Sequence, residues 1–233
     1  MKHGSQYAKQ VKRVFNRLVR QHGKPKHDSL ADPIEQLLLG VVARGTTETG
    51  AAAAMKRLQE GTVDLNELRV ASPREMVQLL GENFPNAIEK ARDINSILNE
   101  IFNRQHELDL DFLRDKTRRD AKDYLQKMPG VDACTVARVM LVSVGGHAIP
   151  VDEDMLAYLR RQELVDPDAD AAEVQAFLER NIAADDAYAF YTLMRRLVAT
   201  SRPRIRKKAA ATTKKKTKKT SKAKRTSASR KSK

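Results

Sequence analysis

MPGVDACTVARVMLVSVGG, residues 128–146, reads as a tight turn feeding a buried helix. Gly130 permits a positive φ and a close backbone approach. Residues 133–144 are mostly apolar and stop at Gly145-Gly146, a natural helix end. A helix that starts directly after such a turn points its free amides outward, where they and the helix dipole attract an anion. Pro129, Gly130 and Val131 are therefore candidates for gripping a phosphate. Asp132 has two opposed readings. It is a good N-cap for the following helix, yet it sets a negative charge where a phosphate would approach. A carboxylate about 4 Å from a phosphate costs about 1 kcal/mol in water and about 4 kcal/mol at an effective dielectric of 20. One hydrogen bond to a charged partner contributes about 1.5–3 kcal/mol, so that charge could cancel a backbone grip. Alone, the signal is weak, and a corner of this composition is structural more often than functional.

Outward from the turn, the chain reads as successive helices. Thr117 and Asp120 resemble a capping box for the helix carrying Ala121, Tyr124, Leu125 and Met128. Ile88, Ala91, Ile94, Leu98 and Ile101 mark a long helix after an Asn83–Asn86 turn. Asp32 with Pro33 opens IEQLLLGVVA, apolar nearly all round and so a central core helix. TETGAAAAMKRLQ gives another helix, and Ser72-Pro73 starts a short one to about Leu80. Near the start, Tyr7, Val11, Val14, Phe15, Leu18 and Val19 follow helical spacing, with Lys9, Lys12, Arg13, Arg17 and Arg20 elsewhere on that helix. Further helices cover roughly 153–162, 171–182 and 186–199. A few residues around Ile149 are the only strand candidate, and no internal repeat is visible.

Composition sets the bounds. A chain of 233 residues with 5% aromatics and no Trp must build its core from aliphatic residues and Met, and its Ala, Leu, Arg, Lys and Glu favour helices. No run of 18 apolar residues is present, which excludes a helical membrane span. The start lacks a signal-peptide pattern, so a cytoplasmic protein is expected. Cys134 is the only cysteine, which excludes an internal disulfide, a multi-thiolate zinc site and a four-cysteine iron–sulfur cluster. The five histidines are scattered, so neither a metal site nor a cofactor is expected.

The net charge of +14 divides unevenly. From Arg202 onward there are 16 Lys and Arg and no acid. Residues 1–201 hold 28 basic and 30 acidic residues, a charge of −2. The 202–233 tail has one large aliphatic residue, Ile205, and reads as disordered. Its lysines, Lys214, Lys215 and Lys216 among them, suit phosphate contact through counterion release without sequence reading.

The order of these elements resembles the helix-hairpin-helix DNA glycosylases of the endonuclease III type. Four stretches carry the resemblance: DPIEQLLLGVVARGTTETGA (32–51), NAIEKARDINSI (86–97), LQKMPGVDACTVARVML (125–141) and IPVDEDMLAYLRR (149–161). They span most of residues 30–200. The resemblance implies an all-α, two-lobed fold. An N-terminal helix (1–30) would pack on the second lobe, and a helical bundle (31–147) would contain the hairpin at about 117–144. Helices of 148–201 would complete the second lobe, ahead of the disordered tail (202–233).

The resemblance also implies residue roles. Asp152 matches the family's catalytic aspartate, which stabilises the positive charge developing on the sugar or activates the nucleophile; as a plain residue it is a helix N-cap. Cys134 stands where bifunctional members carry an imine-forming lysine, and a thiol forms no imine, so AP-lyase activity is expected to be lost. Asp132 replaces a hairpin glycine. Arg44 stands where many members have a glutamine that enters the gap left by an extruded base, and it also suits a helix end. Lys90 and Arg92 are candidates for phosphate contact or for a solvated helix face. The family's C-terminal four-cysteine cluster loop is missing. The implied function is base-excision repair by hydrolysis of the N-glycosidic bond of a flipped damaged base in double-stranded DNA, by a monomer. The alternative is a non-catalytic, nucleoid-associated DNA-binding protein derived from the same fold. In a third reading the helical body binds a protein and only the tail touches nucleic acid.

Overall fold

Asp32, Thr47, Asp64, Ser72, Thr117, Asp132, Asp152 and Asp170 each accept a hydrogen bond from the backbone N–H three residues on, and each starts a helix. Such a cap satisfies one of the amides a helix start leaves open and contributes about 1 kcal/mol. The computed structural model describes residues 4–28 and 30–201. The helices are α1 (Gly4–His22), α2 (Pro33–Ala43), α3 (Glu48–Gly61), α4 (Leu65–Val70), α5 (Pro73–Leu80), α6 (Ala87–Gln105), α7 (Arg118–Gln126), α8 (Ala133–Val142), α9 (Glu153–Arg161), α10 (Ala171–Asn181) and α11 (Ala184–Ser201), with a 3-10 turn at Asp111–Arg114. The expected all-α fold is the one observed. The strand suggested around Ile149 does not form. No strand occurs among the described residues, and Ile149 is a buried connector whose N–H donates to Glu179 Oε1 at 3.1 Å.

The helices fall into two packed groups within one compact unit ending at Ser201. In the first, α2 packs on α3, α6 and α8; α5 packs on α3 and α6; α4 packs on α6; and α7 packs on α8. In the second, α1 and α9 each pack on α10 and α11. The groups meet where α11 packs against α8. The hairpin helix α8 thus joins the two groups and is buried along Thr135–Leu141. Its contact with α2 is close because Gly40 faces Thr135. A Cβ at Gly40 would come within 2.5 Å of Thr135 Cγ2. α2 is the central core helix its sequence predicts, with Ile34, Leu37, Leu38, Val41 and Val42 all buried.

Two expectations change in detail. Ile88 lies off the core face of α6 at 44% exposed, while Ile97 takes a core place. α4 and the 3-10 turn were not expected from the sequence pattern, being too short to carry a full helical period. The expected disordered tail, with Lys214, Lys215 and Lys216, lies outside the described residues.

Candidate active site

The hairpin forms as its sequence predicts. α7 ends at Gln126, Gly130 adopts φ +70°, and the Val131 N–H donates to Met128 O at 3.4 Å. Asp132 forms the expected cap: Oδ1 accepts from the Thr135 N–H at 2.7 Å. That bond draws one carboxylate oxygen into the helix start. Gly130 sits hard against α6, since a Cβ there would lie 2.5 Å from Asp93 Oδ1 and 2.6 Å from Asp93 Cγ.

The same Asp93 takes the other sequence candidate. Arg44, which caps the C-terminal end of α2, forms an ion pair with Asp93 Oδ2, and its Nε–H donates to Val41 O at 3.2 Å. Its side chain is one-third exposed. Hairpin, α6 and the end of α2 therefore converge on one carboxylate. Nothing in the sequence pattern pointed to Asp93.

Lys90 corrects an expectation. It is not on an exposed helix face but 2% exposed, with its ammonium donating to Val42 O at 3.0 Å and lying 4.4 Å from the Phe84 ring centroid. Burial, helped by the nearby Arg44 charge, pushes its pKa down to about 8. The α6 register turns Lys90 inward beside Ala87, Ala91 and Ile94, so it cannot reach a phosphate in this arrangement. Its neighbour Arg92 is exposed.

Asp152 heads α9. Its Oδ1 accepts from the Met155 N–H at 2.8 Å, and its Oδ2 is ion-paired with Arg195 of α11. The Arg195 side chain is only 12% exposed, and its Nε lies 3.7 Å from Oε2 of Glu48 at the start of α3. That buried Nε–H has no hydrogen-bond partner. The Asp152 side chain keeps 31% exposure, so its carboxylate is not sealed inside the packed helices.

Cys134, on the first turn of α8, feels the Asp152 charge. Burial first, then Asp152 and Asp132, push the thiol up to about 12, against the pull of Arg138 and Arg195. At neutral pH it is a protonated thiol and a poor nucleophile. Behind it Arg138 donates to Tyr191 Oη at 2.8 Å and reaches Gln36 Oε1 at 3.4 Å. Burial raises Tyr191 to about 12, so it stays a neutral phenol. The structure thus joins Asp152 and Cys134, and adds Arg195, Glu48, Arg138 and Tyr191, which sequence reading missed. Among the described residues no cluster of His, Cys, Asp and Glu could hold a metal ion, and no helix is long and apolar enough to cross a membrane.

The sequence matches no protein-family model and no curated protein. Solved structures do match. A trapped endonuclease III–DNA covalent intermediate aligns over 80% of this chain and 84% of its own at 21% identity, with a TM-score of 0.65. The Clostridium acetobutylicum 8-oxoguanine glycosylase/lyase bound to double-stranded DNA aligns over 82% and 69% at 16% identity, TM-score 0.66. The H. pylori 3-methyladenine DNA glycosylase bound to 1,N6-ethenoadenine aligns over 86% and 99% at 15% identity, TM-score 0.63. The fold of this chain is that of the helix-hairpin-helix DNA glycosylases.

Proposed function

We propose that this chain, built on the DNA glycosylase fold, is a base-excision repair enzyme of the endonuclease III class. It would act on double-stranded DNA as a monomer associated with the nucleoid. The observation that carries the reading is the accessible Asp152 carboxylate, set on a helix start beside the hairpin helix and its Cys134. In the reaction, the C1′–N bond of an extruded nucleotide breaks and the base leaves with the bonding pair and takes up a proton. Water adds to C1′ and gives up its proton. A carboxylate at that point stabilises the oxocarbenium charge and accepts the water proton. The N-cap fixes one carboxylate oxygen and Arg195 holds the other, so the group is oriented before substrate arrives. Cys134 supplies no amine, so the reaction would end at hydrolysis, with no lyase step. The Pro129–Val131 turn would grip the backbone, with one Asp132 oxygen drawn into its cap and the carboxylate charge held at the helix start.

Base release from duplexes carrying oxidised, alkylated, mismatched or deaminated bases tests this. For the active lesion, Asp152→Asn should lower single-turnover release by about 10²–10⁴-fold while DNA affinity persists. Equal release by both proteins would end the proposal.

One observation favours a second reading. Arg195 occupies the Asp152 oxygen that the cap leaves free. A protein that binds DNA without chemistry could tolerate that ion pair, and it would show tight, salt-sensitive binding with no release from any lesion.

A further inference from the structure

α1 carries a charged stripe that neither the hairpin nor the Asp152 site uses. Lys9, Lys12, Arg13, Asn16, Arg17 and Arg20 recur at intervals of three and four residues and are all exposed. Together they line a shallow hollow of about 510 Å³ on the helix surface. The opposite face of the helix, with Val11, Phe15 and Leu18 buried, holds it to the core, so the stripe points directly away from it. No acid relieves the charge along this helix. The first acidic residue of the chain is Asp28, and eight basic residues precede it; of these, Lys24 beyond the helix is paired with Asp186 at 2.6 Å. Beyond the start, residues 28–201 hold 20 basic and all 30 acidic residues, a net charge of −10. The surplus positive charge of the described residues is therefore concentrated on α1. Like charges at this spacing repel one another by roughly a few tenths of a kcal/mol per pair.

We infer that the outer face of α1 is a second DNA-backbone contact, one that binds the sugar–phosphate chain away from the hairpin and irrespective of sequence. Charge density supports the fit. From Lys9 to Arg20 the helix rises about 16 Å and carries five positive charges, about one per 3.3 Å. One strand of duplex DNA presents about one phosphate per 3.4 Å of axis. Chemistry excludes the competitors. A lipid surface would need an apolar flank beside the charges, but Tyr7, Val14 and Val19 pack with the core. A protein partner would need apolar or aromatic anchors among the charges, and the stripe holds only Asn16 besides its cations. The inference rests on the chain binding DNA, not on its releasing a base.

The experiment uses the full chain and a lesion-free 30-base-pair duplex, so that base release plays no part in the readout. Lys12→Gln, Arg13→Gln and Arg17→Gln together should reduce the salt slope of log K by about 2–3 and weaken binding at 100 mM salt by at least about tenfold. A control triple, Lys56→Gln, Arg74→Gln and Arg180→Gln, removes the same charge from scattered exposed positions on α3, α5 and α10. It should lower the slope by less than 1. Equal effects of the two triples would mean that only net charge matters, and the inference falls. If the α1 triple fails to fold, Asn16→Cys with DNA carrying an activated disulfide on a backbone phosphate reads the contact directly by thiol exchange. Half-buried Cys134, with its raised pKa, leaves the new thiol as the reactive one. Cross-linking at position 16 should exceed that of an Arg180→Cys control at least tenfold; parity would overturn the assignment. A DNA-binding protein with no glycosylase activity would still give the α1 result, so failure of the enzymatic reading and failure of this one are separable.

Discussion

Arg195, on the last helix, holds the carboxylate oxygen of Asp152 that the α9 cap leaves free. Two residues 43 positions apart thereby set one functional group, and Glu48 of a third helix steadies the guanidinium from the other side. Arg195→Leu should cost about 1–2 kcal/mol of stability in urea denaturation. That is less than a fully buried pair, because Asp152 is 31% exposed. On a lesion duplex the same variant should slow base release at least about tenfold at saturating enzyme, with Arg195→Lys recovering part of it. A faster Arg195→Leu enzyme would show that the arginine masks Asp152 instead of orienting it.

Cys134 makes a chemical prediction. Borohydride added during turnover should trap no covalent protein–DNA adduct, since no imine forms at a thiol. A pKa near 12 instead of 9.0 also means about a thousandfold less thiolate at pH 8, so thiol reagents should modify the native chain far more slowly than the denatured one. A trapped adduct, or equal thiol reactivity in the two states, would contradict these expectations.

Gly130 should resist substitution for two separable reasons. Gly130→Ala meets both a positive φ, costing about 1–2 kcal/mol, and the Asp93 carboxylate at 2.5 Å. In an Asp93→Ala background the carboxylate clash should go, leaving the backbone cost and the residual 3.0 Å approach to the residue 93 Cβ, so a double-mutant cycle in stability should show favourable coupling. Full additivity would mean that α6 yields freely to the hairpin.

Lys90 gives the fold a measurable pH signature. Its pKa falls from 10.5 in the unfolded chain to about 8 in the native state. Between those values the unfolded state binds a proton that the folded state does not, so this contribution makes stability rise with pH. The difference in unfolding free energy between the parent and Lys90→Met should grow by roughly 2–3 kcal/mol in favour of the parent from pH 8 to pH 10. The Cys134 and Tyr191 shifts run the other way. Both groups hold their protons more tightly when folded, so their stabilisation is complete below about pH 9 and is lost as pH rises toward 12.

What was legible in the sequence was local. Asp32-Pro33, Ser72-Pro73, Thr117 and Asp152 announced helix starts because a cap needs only a side chain and an amide three residues away. Thr117 differs slightly from the expected capping box, since its hydroxyl donates to Asp120 Oδ2 at 2.7 Å in addition to accepting from the Asp120 N–H. The apolar stripe of α1 and the all-round apolarity of α2 likewise revealed which faces are buried. The site was half legible. Asp152 and Cys134 stood out through family resemblance, but their surroundings depend on packing. Lys90 looked exposed because the pattern of α6 does not say how wide its buried face is. Asp93 and Arg195 carry no motif or spacing signal, and their roles arise only where α6 meets the hairpin and α11 meets α9.

The charge on α1 also bears on how this molecule travels. Among the described residues, a body that is net negative apart from one outward basic helix has an electric moment, and the field of a polyanion exerts a torque on it well before contact. Rotation during diffusion would turn the first helix of this body toward the duplex. Collision would be oriented, and the association rate would fall steeply as added ions shorten the reach of that field.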